Sequence, residues 1–413
     1  AMCKAMGFGN NSLGRVQTPV LAVISRRYRE RENHISSDSW PIYISLQKDG
    51  ILFKMRRTQD IPDKKSATMF FQDCKLAHQA QITGIRHSIK EILPPDLLDL
   101  TQLQKEANIR YGFTASEVYD IAQSLYEKKL ISYPRTSNRY LTEDVFDSLP
   151  PIMARLLSWE LFPAAKGTAS IDISSLFRHV INAEKANVHH AIIITGIRPG
   201  NLPEKEMLVY RLVAGRMLEA FMPPCRIETT DIEAICAAQH FKAEQTRIIE
   251  AGWHDVFMNS DIIPKSGYSV NELPEVEKGD TLNVCGRNLV HKKQLPVNPF
   301  TDAELVEYME LNGLGTVSSR TNIIRTLVNR KYIRYSGKYI VPTPKGMFTY
   351  ETIRGKKIAD TSLTADWEKQ LAGLESGMIT RQDFLNRIRT LAKEMTDDIF
   401  NTYSQKEKVS ILK

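Results

Sequence analysis

The stretch LISYPRT, residues 130–136, places a tyrosine after a short apolar run and an arginine two residues further on. If the chain is extended here, side chains i and i+2 point to the same face. Pro134 fixes its own φ and biases Tyr133 away from helical backbone, which favours that geometry. A phenol can attack a phosphodiester, and the guanidinium of Arg135 can fork onto the same phosphate. Taken alone, the stretch fits a core tyrosine beside a snorkelling arginine at least as well.

An internal repeat gives this stretch a structural context. The residues before it indicate a helix, opened by the capping box of Thr114 and Glu117 and followed by a basic turn. The pattern returns at an offset of 202 residues, where Ser336-Gly337 favours a hairpin, so the two copies predict winged helix-turn-helix units. Chance matching is the alternative, because the matched residue types are common. The matched residues are Ile121, Leu125, Lys129, Ile131 and Tyr133 with Ile323, Leu327, Lys331, Ile333 and Tyr335.

The wider pattern predicts a multidomain α+β chain. A helix is expected over 19–32, alternating strands from Trp40 to Pro94-Pro95, helices over 101–221, strands again over 226–296, and helices over 300–400. The β region is therefore split in sequence, with a helical domain inserted between its halves. The predicted segments are 1–36, 37–94, 95–225, 226–297 and 298–413.

Composition limits the function classes. The chain is 42% hydrophobic and 25% charged, which is ordinary for globular proteins. Its 413 residues are too many for a single hydrophobic core. A net charge of +7 favours a polyanionic partner. There is no apolar run near membrane-spanning length. The five cysteines are dispersed, which argues against a zinc ribbon and fits a reducing cytoplasm. No phosphate-binding loop or Asp-x-Asp-x-Glu cluster appears, so ATP hydrolysis and a self-contained carboxylate metal site are not expected.

A histidine pair is the second catalytic candidate. His189 and His190 precede an apolar run over 191–194, and one of them could donate to a phosphate or shuttle a proton. A half-buried structural histidine and a zinc pair are the alternatives. Neighbouring side chains of a strand point to opposite faces, so the pair is a poor chelate.

Two glycine turns predict phosphate cradles at helix starts. One is 14–19, where donors precede a helix, and the other is 313–320, where hydroxyls and a cation follow the turn. Ordinary helix caps are the alternative for both. Together with basic side chains near Tyr133, the candidate DNA-binding residues are Arg15, Gln17, Thr18, Lys129, Arg139, Ser318, Ser319 and Arg320.

Taken together, these blocks resemble the type IA DNA topoisomerases, and the topoisomerase III branch most closely. The likeness runs from about residue 12 to 400, with the segments in family order and the Tyr-Pro-Arg-Thr block the most specific. The matching segments are 14–22, 103–107, 122–136, 189–193, 313–316 with Arg320, and 341–346.

The resemblance implies that Tyr133 is the nucleophile, forming a 5′-phosphotyrosine with one DNA strand, so that resealing needs no ATP. It implies that Arg135 holds the scissile phosphate and that His189 assists at the backbone near the break. The implied fold is the toroidal type IA core, in which two helical winged-helix-like domains are joined by a split antiparallel β arch. That arch would swing to pass a second strand.

The chain departs from the family pattern in several places. Ser137 and Asn138 stand where an acidic residue is usual, and Val317 and Ile194 stand where proline is usual. No segment corresponds to the family's Toprim domain, so Mg²⁺ is expected in the complete enzyme and no metal in this fragment. We expect the fragment to bind DNA, preferably single-stranded, without relaxing it. It would act as a monomer in the cytoplasm, at the nucleoid, with no zinc and no membrane.

Two other functions fit parts of the pattern. A non-enzymatic winged-helix DNA-binding protein would prefer duplex DNA and form no covalent adduct. A tyrosine recombinase or type IB enzyme needs a His-x-x-Arg motif ahead of a C-terminal tyrosine. Here Tyr133 precedes His189, and Ile192 stands where that arginine is required.

Overall fold

The computed structural model describes residues 14–159, 161–162, 178–186, 189–257 and 273–411. Parts of the predicted segments 1–36, 95–225 and 226–297 lie outside these ranges. The strands are β1 (Asp38–Ser39), β2 (Ile42–Lys48), β3 (Ile51–Arg57), β4 (Gln79–Ile92), β5 (Cys225–Cys236), β6 (Gln239–Glu250), β7 (Thr281–Leu289), β8 (Lys292–Lys293), β9 (Ile333–Ser336) and β10 (Tyr339–Pro342).

The helices carry most of the remaining chain. They are α1 (Gln17–Glu32), α2 (Lys64–Leu76), α3 (Leu100–Tyr111), α4 (Ala115–Glu127), α5 (Glu143–Asp147), α6 (Leu149–Ser158), α7 (Glu204–Phe221), α8 (Asp302–Leu311), α9 (Val317–Asn329), α10 (Pro344–Ile353), α11 (Thr361–Glu375) and α12 (Arg381–Ile411). In these ranges no helix combines the length and apolar character that crossing a bilayer requires.

The two halves of the β region form one closed antiparallel barrel, in the order β2-β3-β6-β5-β4-β7. Ile42, Ile44 and Leu46 are fully buried in it, because alternate residues of a strand share one face. The barrel joins strands from before and after the inserted helices, as the split pattern predicted. Within the second half, residues 281–289 form one continuous strand, β7.

The sequence interpretation missed α2, which lies inside the region expected to be all strand. Asp63 caps this helix by accepting a hydrogen bond from the Ser66 amide. Its Ala67 and Cys74 are fully buried against the barrel. Only two of its thirteen residues are fully buried, and Phe70 and Phe71 pack partly buried against the same cluster.

Buried apolar side chains of the described residues form three clusters. The barrel cluster fills the barrel and the inner face of α2. The tyrosine cluster is built mainly from residues 97–227 and includes Ile131. The terminal cluster is built from α1 and residues 300–340. Trp253 and Val256 join the tyrosine cluster, and Ala115 joins the terminal cluster, so some side chains cross the predicted segment boundaries.

The repeat is present in three dimensions. Helices α3 and α4 correspond to α8 and α9 at the same offset of 202 residues. Both second helices begin with a capping box, at Thr114 and at Thr316. Both are followed by a lysine in left-handed backbone, Lys129 with φ 60° and Lys331 with φ 59°. Chance matching is therefore excluded as the source of the pattern.

The copies differ in how the following strand is paired. In the second copy β9 and β10 form a hairpin around Gly337, whose φ is 59°. In the first copy Ile131 pairs instead with Ile194, through a single antiparallel bridge. The expected Tyr133 strand is thus one bridge residue followed by irregular backbone. A long insertion occupies the place of the hairpin turn.

One threonine closes each copy in the same way. The Thr195 hydroxyl donates to the Lys129 carbonyl at 2.6 Å, and the Thr343 hydroxyl donates to the Lys331 carbonyl at 2.6 Å. These bonds occupy carbonyls that the left-handed turn exposes. The returning chain at 195 therefore takes the place that the hairpin strand takes in the second copy.

Tyr335, the repeat counterpart of Tyr133, is engaged by a carboxylate. Its phenol donates to Asp302 at 3.2 Å, and Asp302 is 2% exposed. Burial raises the pKa of Asp302 to about 6, against the lowering effect of the bonds from Tyr335 and from the Ala115 amide. Burial also raises the pKa of Tyr335.

We expect Asp302→Asn to flatten the dependence of stability on pH. A folded-state pKa near 6 lies above the ordinary value of 3.8, so in this interval the folded chain binds more protons than the unfolded chain. The native free energy of unfolding should therefore fall as the pH rises from about 4 to about 6. The variant should be more stable than the native chain at neutral pH by about 2 kcal/mol, measured by urea denaturation. The exposed Asp147→Asn should keep the native slope; an equal slope in Asp302→Asn would contradict the assignment.

Gly346 lies in the first turn of α10, at a position where a side chain has no room. A Cβ there would lie 2.0 Å from the Tyr332 carbonyl oxygen, which is backbone and cannot turn aside. We expect Gly346→Ala to lower the free energy of unfolding by about 2–3 kcal/mol. Gly200→Ala is the matched control, because nothing lies within 4 Å of its Cβ position. Equal stability of the two variants would show that the contact does not constrain the fold.

Candidate active site

The residues around Tyr133 are held by a segment that follows far along the chain. We call residues 131–136 the tyrosine loop and 189–195 the histidine segment. The Ser132 amide donates to the Ile193 carbonyl at 2.8 Å. The Ser132 hydroxyl donates to Ala191 O at 3.1 Å and accepts from the Ile193 amide at 3.0 Å. The two segments therefore run antiparallel, although 61 residues separate Ser132 from Ile193.

This pairing brings Tyr133 and His189 together. Their ring centroids are 4.6 Å apart, with the rings tilted by 40°. At the far end of the loop the Thr136 hydroxyl donates to the His189 carbonyl at 3.3 Å. Tyr133 is half-buried and His189 is exposed, so the pair faces solvent. The two residues predicted as nucleophile and assisting histidine are thus neighbours.

Tyr133 and Arg135 both lie on one face of α4. The Tyr133 ring meets the Tyr126 ring edge-on at 5.5 Å. The Arg135 Nη2 donates to Gln123 Oε1 at 3.1 Å, and its guanidinium lies 5.1 Å from the Tyr119 ring centroid. Residues 119, 123 and 126 share a face at helical spacing. Tyr133 and Arg135 therefore share α4 as their support, although the backbone between them is not a strand.

Arg135 retains capacity to bind an anion. Its Nε is buried and has no hydrogen-bond partner within the described ranges. A guanidinium offers five N–H donors in a planar fork, which matches the oxygens of a phosphate. The Gln123 and Tyr119 contacts fix the orientation of that fork beside Tyr133.

Asn138 stands where an acidic residue is usual in the family, and it organises the end of the loop. Its amide N–H donates to the Thr136 hydroxyl at 3.0 Å, and its Oδ1 accepts from the Tyr140 amide at 2.9 Å. Its Nδ2 donates to the Lys185 carbonyl at 2.7 Å. The side chain is 9% exposed, so its role in this structure is to clamp the backbone.

The predicted DNA-binding residue Arg139 is bound to two carboxylates. Its Nε donates to Asp99 at 2.6 Å, and its Nη2 lies 3.7 Å from Glu310. Burial raises the pKa of Asp99, against the opposing bonds from the Gln102 amide and Arg139. Asp99 also caps α3, because its side chain accepts from the Gln102 amide. Lys129, by contrast, is exposed.

The first predicted phosphate cradle lies at the start of α1. The Thr18 hydroxyl accepts from the Gly14 amide at 2.9 Å, and Thr18 is buried. Gln17 Oε1 accepts from Arg330 at 2.8 Å. The Arg15 guanidinium lies 5.5 Å from the centroid of the Trp367 ring.

The second predicted cradle adjoins the first. A Cβ at Gly315, whose φ is 81°, would lie 3.7 Å from the Val16 side chain and 2.8 Å from Ser319 Oγ. Ser319 Oγ accepts from the Thr316 amide at 2.8 Å, while Ser318 is exposed. Both glycine turns therefore contribute to one surface at the starts of two helices.

Arg320 is placed differently from the exposed cation that the sequence suggested. It is 8% exposed, and its Nη1 donates to Thr101 at 3.0 Å and contacts Glu310 at 3.2 Å. A direct bond to DNA would require its Nη1 to leave these partners, so this role stays a prediction.

Sequence reasoning missed the carboxylates and the polar face of α4. Asp99 and Glu310 lie far from Arg139 and Arg320 in sequence, and no local spacing pairs them. Tyr119, Gln123 and Tyr126 were detectable, because they repeat at helical spacing opposite the apolar stripe that was used to predict the helix. In the described ranges no group of three or more His, Cys, Asp or Glu side chains is arranged to hold a metal ion.

Comparison with known proteins identifies the family of the chain. A family model described as DNA topoisomerase matches residues 1–386. DNA topoisomerase 3 of Bacillus licheniformis is 30% identical over 413 residues, covering 94% of this chain and 56% of that protein. DNA topoisomerase 3 of Bacillus subtilis is 30% identical over 423 residues, covering 95% and 57%.

A solved structure has the same fold. Full-length topoisomerase I from Thermotoga maritima aligns with a TM-score of 0.73 at 22% identity, over 93% of this chain and 63% of that one. The present chain spans little more than half the length of the curated relatives that it matches. From the motifs, the mixed α/β fold and these matches, we conclude that the chain belongs to the type IA DNA topoisomerase family.

Proposed function

We propose that this chain is the strand-cleaving core of a type IA topoisomerase, in which Tyr133 is the nucleophile. The observation that carries the proposal is the pairing of the tyrosine loop with the histidine segment, which sets the Tyr133 and His189 rings 4.6 Å apart. The phenol oxygen attacks a backbone phosphorus, and the bond from phosphorus to the 3′ oxygen breaks. One end of the broken strand then carries a free 3′-hydroxyl, and the other end is held on Tyr133 as a 5′-phosphotyrosine.

The chemistry is balanced without ATP. The phenol gives up its proton as it attacks, and the departing 3′ oxygen takes one up. Religation is the reverse attack by that 3′-hydroxyl, which restores the phosphodiester and the phenol. Because one ester replaces another, the bond energy is conserved through strand passage.

Arg135 and His189 have distinct roles in this proposal. A free phenol titrates near ~10, so attack at neutral pH needs stabilisation of the phenolate and of the charge on the pentavalent phosphorus. The Arg135 fork, oriented by Gln123 beside Tyr133, supports a role in holding the scissile phosphate. The exposed ring of His189 supports donation to a neighbouring backbone oxygen.

We further propose that the complete enzyme uses Mg²⁺, held by a Toprim domain that is not part of this sequence. Among the described residues no group of three or more His, Cys, Asp or Glu side chains is arranged to hold the ion. When bound, the metal would supply electrostatic stabilisation of the phosphate oxygens.

The proposed division of labour follows the three apolar clusters. Segments 37–94 and 226–297 would form the arch. In that role the barrel that they share would bridge the parts of the chain that contain the tyrosine cluster and the terminal cluster. Segment 95–225 would carry Tyr133, and segments 1–36 and 298–413 would bind the strand. The repeated helix pairs would be the two winged-helix units. Strand β1 lies between α1 and the barrel, strand β8 lies between the barrel and α8, and the two strands pair with each other. Two paired connecting segments of this kind support a hinge between the barrel and the terminal cluster.

The substrate we propose is DNA, with single strands preferred, bound by a monomer in the cytoplasm at the nucleoid. The net charge of +7 and the cradle surface at α1 and α9 support a polyanionic partner. No zinc requirement is proposed. The runner-up function is a non-enzymatic winged-helix DNA-binding protein, which the structural repeat favours and which covalent-adduct formation would exclude.

The nucleophile assignment is tested with Tyr133→Phe in the protein that carries this chain together with its Toprim domain. We expect no denaturation-resistant protein–DNA adduct and no relaxation of supercoiled DNA, with single-strand affinity unchanged, because only the attacking oxygen is lost. Tyr335→Phe is the matched control at the repeat position, and it should still form the adduct. Relaxation by Tyr133→Phe would refute the assignment.

The isolated 413 residues should bind a single-stranded oligonucleotide without relaxing plasmid DNA. We expect the affinity to fall about tenfold between 50 and 200 mM salt, as for a few released counterions, measured by fluorescence anisotropy. Lys129→Asn should weaken this slope, because asparagine tolerates left-handed backbone and lacks the charge. Lys331→Asn is its repeat counterpart and should change the slope less; equal effects would place the strand elsewhere.

A further inference from the structure

One carboxylate connects the two places proposed to contact the strand. Glu310 lies near the end of α8, and its Oε1 accepts from Arg320 Nη1 at 3.2 Å and from the Thr101 hydroxyl at 3.2 Å. Its Oε2 lies 3.7 Å from Arg139 Nη2. Its side chain therefore contacts α9, α3 and the chain that follows the tyrosine loop.

The charges alternate along this connection. Asp99, Arg139, Glu310 and Arg320 form a row of two carboxylates and two guanidiniums, with no net charge. The side chains of Asp99 and Arg320, at the ends of the row, are 1% and 9% exposed, so their interactions are little screened by water. Those of Arg139 and Glu310, in the middle of the row, are 31% and 24% exposed. The row is not saturated, because Arg320 Nε is buried without a hydrogen-bond partner in the described ranges.

The position of the row gives it a consequence for binding. Ile131 of the tyrosine loop packs in the tyrosine cluster, whereas Leu314 of the second glycine turn packs in the terminal cluster. The two sites therefore pack in different apolar clusters, which Ala115 of α4 joins by packing in the terminal cluster. The Thr136 carbonyl accepts from the Leu100 amide at 3.1 Å, directly beside the Asp99 cap. The row of charges therefore begins beside the tyrosine loop and ends at Arg320, which directly follows Ser319 of the second cradle.

Other polar contacts between the same helices are weaker candidates. Lys105 with Glu307 and Arg325 with Asp120 also join the two clusters. Their side chains are 30–62% exposed, and exposed ion pairs contribute little. Glu310 differs from them because it contacts two arginines that belong to different parts of the proposed strand path.

We propose that Glu310 is a positioning residue that couples Arg139 to Arg320, and so keeps the tyrosine loop and the second cradle in register on one DNA strand. The inference rests on the proposed function. A strand phosphate competes with Glu310 for either guanidinium. Loss of one arginine leaves the other as the carboxylate's main cation and draws it away from the strand.

The coupling is tested by anisotropy with a single-stranded oligonucleotide, using this chain. Arg139→Ala, Arg320→Ala and the double variant are measured with Glu310 present and again in a Glu310→Gln background. With Glu310 present, each single substitution also weakens the contact between the remaining arginine and the DNA strand, because Glu310 draws that arginine away. The double loss should therefore be at least fivefold smaller than the product of the single losses. In the Glu310→Gln background the losses should multiply.

Glu307→Gln is the matched control, one helical turn earlier on α8 and also across the interface. The non-multiplicative pattern should persist in that background. The coupling would be overturned if the losses of affinity from the two arginine substitutions multiplied in the native background. It would also be overturned if they still failed to multiply in the Glu310→Gln background. Either result would leave the proposed function standing. A native chain that binds no single strand would overturn both.

A second readout separates positioning from mere support of the fold. In the protein that includes the Toprim domain, Glu310→Gln removes a competitor for the arginines. We expect it to tighten non-covalent single-strand binding severalfold while reducing covalent-adduct formation at saturating DNA, with Glu310→Asp restoring part of the adduct. Binding and adduct formation that fall together, in step with thermal stability, would show a purely structural role.

Discussion

The site depends on the antiparallel pairing of the tyrosine loop with the histidine segment. Ser132 uses its amide and its hydroxyl on the Ile193 and Ala191 backbone, so a single small polar residue fixes the register of both segments. A slip of one residue would turn Tyr133 away from His189, because neighbouring side chains point to opposite sides. The ring contact, the Thr136 bond and the docking of Arg135 on α4 all follow from that register.

The repeat explains why only one of two equivalent tyrosines is available for chemistry. Both copies end a helix at a left-handed lysine and close it with a threonine hydroxyl. In the second copy the hairpin returns at once, and Tyr335 turns to the buried Asp302. In the first copy the chain returns only after a long insertion, so Tyr133 meets a histidine and solvent instead of a carboxylate. The same scaffold thus supports a structural phenol in one copy and a reactive candidate in the other.

What the sequence could predict follows the range of each interaction. The Thr114 capping box, the barrel alternation at Ile42 and the repeated helix and left-handed turn depend on neighbours within a few residues, and they are present as expected. The strand expected at Tyr133 is not, because it depends on pairing with a distant segment. The Arg139–Asp99 bond and the Arg320–Thr101 bond join residues 40 and 219 positions apart, and no local pattern encodes such pairs. The helix α2 was missed although its cap at Asp63 is local, because it interrupts a region whose flanking segments alternate as strands.

Buried and part-buried polar contacts join the tyrosine and terminal clusters, and this has a physical consequence. Gln104 donates to the Thr321 hydroxyl at 2.8 Å, and Asn108 accepts from the Ala303 amide at 3.3 Å. Groups of this kind exchange their partners for water at a small net cost, whereas separating apolar faces of equal area would cost much more. An interface built in this way can part and reform, provided that its register is specified by charge. Specification of that kind requires a row of alternating charges that crosses the interface, as the row through Glu310 does.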